Sequence, residues 1–85
     1  MTPLEVETAV FALEAVRILI RAPENSKLGD FQFVRKAADN ASISEWLEQR
    51  ILPITKGFPV VVIDGTGSIP RGQKKMSTLR QSYAK

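Results

Sequence analysis

The stretch Thr2-Pro3-Leu4-Glu5-Val6-Glu7-Thr8-Ala9-Val10-Phe11-Ala12-Leu13-Glu14-Ala15-Val16-Arg17-Ile18-Leu19-Ile20-Arg21 decides how the rest of this sequence is read. Its start has the marks of a helix N-terminus. Thr2 suits the N-cap, Pro3 the first helical position, and Glu5 completes a Thr-x-x-Glu capping box. In such a box the hydroxyl and the carboxylate each satisfy one backbone N–H that the helix itself leaves orphaned. Pro23 stands beyond Arg21 as a stop, so the spacing predicts a single helix to about Arg21. On a helical projection Glu7, Val10, Glu14, Arg17 and Arg21 fall in one narrow stripe, polar except for Val10. Apolar residues cover most of the remaining circumference, roughly twice the arc of about 100° that an ordinary surface helix carries. A helix so apolar needs cover on nearly every side. Ala9 and Ala12 are small enough for close approach, and together with Val16 they are expected to meet a second copy or another protein.

Working outward, Ala22 to Gly29 is dense in turn formers and reads as a loop. Asp30 to Asn40 is open between two readings: a helix capped by Asp30 with Phe31, Val34 and Ala38 on one side, or a strand in which Phe31 and Phe33 flank Gln32. The helix is preferred. Ser42 and Glu45 form a second capping box, Ile43, Trp46, Leu47 and Ile51 follow at helical spacing, and Pro53 disfavours the helical conformation at Leu52. Trp46, the single tryptophan, lies in the apolar stripe and is expected to anchor the core.

Phe58-Pro59-Val60-Val61-Val62-Ile63 is a β-branched run, and Asp64-Gly65-Thr66-Gly67 supplies a tight turn after it. Pro59 lacks a donor, which favours an edge strand. A strand needs partners for its backbone groups, and the arm Ser68-Ile69 before Pro70 is too short to return along it. Either Phe31–Val34 is a strand, or another chain completes the ladder; on the second reading Val60 and Val62 join the expected interface.

Charge is segregated. The chain of 85 residues has a formal net charge of +3. Residues 1–70 carry seven Lys or Arg against nine Asp or Glu, whereas residues 71–85 carry five cations and no acid. A mildly acidic body (1–70) with a basic end (71–85) points to an anionic partner. Arg71, Lys74, Lys75, Arg80 and Lys85 are suited to phosphate contact, with Tyr83 as a platform for a base. Within this segment Met76, Leu79 and Tyr83 recur at i, i+3 and i+7, the pattern of a short amphipathic helix too short to stand alone.

Cysteine and histidine are both absent, which removes disulfides, Cys or His metal ligation, thiol nucleophiles and imidazole-based triads. Val60–Ser68 looks like the strand-then-acid pattern of P-loop ATPases, yet no Gly-x-x-x-x-Gly-Lys phosphate loop accompanies it. It also resembles the glycine-rich first motif of methyltransferases, whose wide parallel sheet does not fit 85 residues with one clear strand. The Asp-Thr/Ser-Gly signature of retroviral-type proteases is similar too, but here a glycine separates Asp64 from Thr66. The carboxylates are scattered, and several serve caps or turns, so an enzyme, a cofactor, a metal site or a small-molecule substrate is not expected; a catalytic reading would need a convergent pocket around Asp64.

The sequence therefore predicts a small single α+β domain. It has a long apolar N-terminal helix, one or two shorter helices, an edge strand with a tight turn, and a basic C-terminal segment. Glu5, Glu7, Glu14 and Arg17 interrupt the longest apolar stretch, so no membrane span is expected, and neither is a secretory leader; a cytoplasmic location is the default. The expected function is that of a non-enzymatic, oligomeric binding or regulatory protein whose basic segment contacts nucleic acid. The alternative is an interaction or inhibitor protein, such as a small phage or plasmid factor or an assembly subunit, docking through the first helix and the Val60–Ile63 edge.

Overall fold

Thr2 and Glu5 form the expected capping box in a computed structural model that describes residues 1–83. Thr2 N donates to Glu5 Oε1 at 2.8 Å and Glu5 N donates to Thr2 Oγ1 at 3.3 Å. The hydrogen bonds from Thr2 hold the Glu5 carboxyl below the usual glutamate range. The helix they start, α1 (Pro3–Glu14), is shorter than the sequence predicts. Ala15 takes a left-handed conformation at φ 58° and its N–H closes the last turn on Phe11 O. The chain then reverses into strand β1 (Arg17–Ile20).

One side-chain bond and one strand ladder compete with the helix there. In a longer helix the Glu14 carbonyl would accept from the N–H of Ile18; instead it accepts from Arg80 Nε at 3.0 Å. Residues Arg17–Ile20 gain an antiparallel ladder against β2 (Val60–Ile63), in the register Arg17↔Ile63, Ile18↔Val62, Leu19↔Val61 and Ile20↔Val60. The predicted single helix to Arg21 is thus corrected to a helix and a strand, and the strand that pairs with Val60–Ile63 within the chain is β1, not Phe31–Val34. Much of the excess apolar surface of the predicted helix disappears with this correction, because Val16, Ile18 and Ile20 point into the core.

The facing of α1 also differs from the predicted one, although Val6 of the predicted apolar surface is buried as expected. Its buried residues are Pro3, Val6, Val10 and Glu14, so Val10 and Glu14 of the mostly polar stripe face inward, while Leu4, Phe11 and Ala12 face solvent. Glu7, half-buried, accepts from the outward N–H of Ile20 at 2.8 Å and so occupies part of the free edge of β1.

Residues 30–40 form neither the predicted helix nor a strand. The backbone groups a helix would pair internally are taken by distant side chains. Ala37 N donates to Glu14 Oε1, Ala37 O accepts from Arg80, and Arg35 O accepts from Arg50. Leu28 and Phe31 anchor this irregular segment in the core.

The second capping box forms as predicted. Ser42 and Glu45 exchange bonds at the start of α2 (Ile43–Trp46), and those bonds lower the Glu45 pKa. Beyond Trp46 the helix widens into a π turn over Leu47–Ile51 and tightens into a 3-10 turn over Leu52–Ile54. Pro53 sits inside that last turn, where its missing N–H costs nothing, so the helical segment ends two residues later than predicted. α3 (Met76–Ser82) closes the core with Met76 and Leu79, both essentially inaccessible. Among the described residues the result is an α+β fold with three helices and one two-stranded antiparallel sheet around Trp46, Ile43, Ile51, Met76 and Leu79. Among the described residues no helix is long and apolar enough to cross a membrane.

Candidate functional site

Of the residues expected to contact nucleic acid, three lie on the loop that leads into α3. Arg71, Lys74 and Lys75 are exposed. Their backbone is tied to the start of α2, since Ile43 N donates to Lys74 O at 2.9 Å and Ser44 N donates to Gly72 O at 3.0 Å. The loop is therefore held in place while its cations reach into solvent. Two carboxylates accompany them: Lys75 helps lower the Glu45 pKa and Lys74 that of Asp64.

Arg80 is elsewhere. It is turned into the protein and binds Glu14 Oε1 through Nη2 at 2.9 Å, Asp39 Oδ1 through Nη1 at 2.6 Å and Ala37 O through Nη1 at 2.9 Å. Tyr83 is half-buried, and its hydroxyl accepts from Arg17 N at 3.1 Å while donating to Ile63 O, which clamps the end of the β1–β2 ladder. Burial pushes the Tyr83 phenol above its usual pKa. Neither residue belongs to an outward basic surface, and Lys85 lies outside the described residues. Arg80 and Tyr83 turn inward because α3, which carries Arg80 and is capped by Tyr83, buries Met76 and Leu79.

The expected interface residues also divide. Val16 and Val62 are 0% and 4% exposed, so their side chains serve this chain's own core. Ala12 is exposed, whereas Ala9 and Val60 are half-buried. Val60 and Val62 still contribute through their backbone. Arg21 N donates to Pro59 O at 2.8 Å, which puts the odd-numbered residues of both strands on the shared ladder. The N–H and C=O groups of Val60 and Val62 then point away from β1, and among the described residues nothing pairs with them. Pro59 does not guard this edge, because its missing donor faces β1.

Sequence reasoning missed the polar centre of the molecule. Glu14 is fully buried, and besides Arg80 and Ala37 N it accepts from Trp46 Nε1 at 2.9 Å and Arg50 Nη1 at 2.8 Å. Two arginines on one buried carboxylate explain how an inward-facing acid is tolerated.

The turn after β2 is as predicted. Asp64 Oδ1 accepts from Thr66 Oγ1 at 2.7 Å, Thr66 N at 2.9 Å and Ser68 N at 3.0 Å. These bonds, the Thr66 hydroxyl first, hold the carboxyl below its usual range. Asp64 does line a cleft, with Phe11, Arg17 and Tyr83 among its other walls. A carboxylate held below its usual range by its own turn is a weak base, and its Oδ1 fixes the turn after β2.

Comparison with protein-family models, with curated proteins and with solved structures finds no match to this chain.

Proposed function

We propose that this chain is a non-catalytic binding protein whose working form is a pair of copies joined edge to edge along β2. The observation that carries the reading is the outward edge of Val60 and Val62, whose backbone groups have no partner among the described residues. The sheet is covered on one face by α1 and the core, so what it leaves unmet is the outward edge of β2, and an unpaired edge is a template for another strand. Val60–Ile63 holds no charge, so antiparallel pairing about a two-fold axis brings together only β-branched side chains and meets no like-charge repulsion. The product is a four-stranded sheet, β1-β2-β2-β1.

Light scattering coupled to size exclusion tests this directly. At high micromolar concentration the expected mass is twice 9.4 kDa. Val61→Lys places a cation on each side of the axis, at a half-buried position facing away from the buried Val62, and is expected to give a monomer that still melts cooperatively. A wild-type monomer overturns the proposal, and so does a Val61→Lys protein that remains paired.

A second reading rests on Arg71, Lys74 and Lys75, which the fixed loop presents to solvent together. In this reading each copy offers three cations to a nucleic acid backbone. Replacing all three with Gln is expected to abolish binding to a random duplex, and log K against log salt for the native protein is expected to slope at about −3 per copy. Binding that ignores salt, or survives the triple substitution, removes this role.

A further inference from the structure

Residues 30–40 place exposed apolar side chains directly beside unpaired cations. Val34 is 90% and Phe33 41% exposed, and Arg35 and Lys36 follow them, both exposed and without an ion pair among the described residues. The Phe33 ring is held in place. The Arg50 guanidinium lies 4.3 Å from its centroid, and the buried Phe31 ring packs at 5.1 Å with the two planes tilted by 57°. Arg50 is fixed in turn, since it donates to Glu14 Oε2 at 2.8 Å and to Arg35 O at 2.6 Å. The same segment leads to the basic loop. Lys36 shares a shallow cleft with Ser77 and Gln81. Ser77 N donates to Asp39 O at 3.0 Å and Met76 N to Ala41 O at 2.8 Å, so the chain after Lys36 is bonded to the chain after Lys75. Arg35 and Lys36 therefore continue the series of cations begun by Lys74 and Lys75, and Phe33 stands at its end. Of the acids on this path, Asp39 is paired with Arg80, Asp30 faces the Met1 ammonium, and Glu45 offsets part of the charge of Lys75.

We infer that this band binds single-stranded nucleic acid, with one base stacked on Phe33 and neighbouring phosphates on Arg35, Lys36, Lys74 and Lys75. The site extends the nucleic acid contact proposed for Arg71, Lys74 and Lys75, and so rests on that reading. A row of cations tracks a phosphate backbone of either form, but only an unpaired strand offers a free base face to an aromatic ring. Tyr83, the ring expected to take that part, is spent on the end of the strand ladder, and Phe33 is exposed beside cations instead. Arg50 against the ring adds a cation–π contact and fixes its orientation before a base arrives, which lowers the ordering cost of binding. An anionic membrane draws on the same cations, but insertion needs a broad apolar face, and here two neighbouring side chains stand out, one of them pinned to Arg50.

The test is fluorescence anisotropy with a short labelled oligothymidylate and a labelled random duplex. At about 0.15 M salt, where charge is screened, the native protein is expected to bind the single strand at least about fivefold more tightly than the duplex, the smallest gain usual for one base–aromatic stack. Phe33→Leu keeps apolar bulk against Arg50. It is expected to weaken the single strand about fivefold or more, to leave the duplex unaffected, and to melt within about 3 °C of the native protein. Phe33→Trp is expected to bind the single strand as the native protein does. Replacing Arg35 and Lys36 with Gln is expected to make the single-strand slope of log K against log salt shallower by about 1.4. The inference is overturned if Phe33→Leu binds the single strand as tightly as the native protein, or if the duplex is preferred. In either case, loss of duplex binding on replacing Arg71, Lys74 and Lys75 with Gln leaves the underlying nucleic acid reading standing, whereas a native protein that binds neither oligonucleotide ends both. Vesicles containing phosphatidylserine are the third arm: binding to them that Phe33→Leu abolishes, without binding to the single strand, overturns the inference in favour of a membrane.

Discussion

Glu14→Ala is expected to bring this protein to the edge of unfolding. The carboxylate it removes is wholly buried and accepts four hydrogen bonds, from Ala37 N, Trp46 Nε1, Arg50 and Arg80. Without it, the indole N–H is orphaned in the core, Arg50 loses its counter-charge, and Arg80 keeps only the exposed Asp39 carboxylate. Arg80 is the more buried of the two, its side chain being 11% exposed against 20% for Arg50. Removing one partner of a buried ion pair costs about 3–5 kcal/mol. A domain of this length has a total stability on the order of 4–13 kcal/mol. In thermal terms the loss corresponds to a fall of about 15–40 °C in Tm, measured by calorimetry or by Trp46 fluorescence. Most of that loss is the penalty of stranding charge rather than the strength of the attraction. Exchanging Glu14, Arg50 and Arg80 together for methionine is therefore expected to recover part of it, although it leaves the Trp46 N–H unpaired. A Glu14→Ala protein melting within about 3 °C of the native one would show that the buried network contributes little.

The difficulty of seeing Glu14 in advance has a physical origin. A helical projection reports which residues share a face, and Glu7, Val10 and Glu14 do share one; it does not report which face is inward. That depends on Arg50 and Arg80, which lie far along the chain and reach Glu14 only in the folded state. β1 was hidden for a related reason. Val16-Arg17-Ile18-Leu19-Ile20-Arg21 alternates β-branched residues with others, the period of a half-buried strand, and this was the available signal. It directly continues a strongly marked helix, and only the ladder with Val60–Ile63 and the Arg80 bond to the Glu14 carbonyl end that helix at Glu14. What was legible was local. Both capping boxes, the Asp64 turn, the Trp46 anchor and the Met76, Leu79 face each depend on residues within a few positions of one another, and each forms as read. The irregular course of residues 30–40 belongs to the other kind, since its backbone is held by Glu14, Arg50 and Arg80.

Ending the chain after Lys75 is expected to abolish cooperative folding altogether. The basic end of the sequence has the charge of a solvated tail, but α3 within it supplies Met76 at 0% and Leu79 at 1% exposure to the core. Truncating a single such side chain to alanine costs about 2–5 kcal/mol, so Leu79→Ala alone removes a large share of the available stability. The shortened chain loses both residues, the Arg80 bonds to Glu14, and the Tyr83 hydroxyl that clamps Arg17 to Ile63. Calorimetry of residues 1–75 is expected to show no transition, and its amide spectrum no dispersion. A transition within about 5 °C of the native one would instead mark α3 as dispensable. The consequence reaches the binding question. Deleting residues 71–85 cannot separate a nucleic acid contact from loss of the fold, because most of that segment is structural. Substituting Gln at Arg71, Lys74 and Lys75 does separate them, since those side chains are exposed while the backbone bonds of their loop to α2 do not involve them.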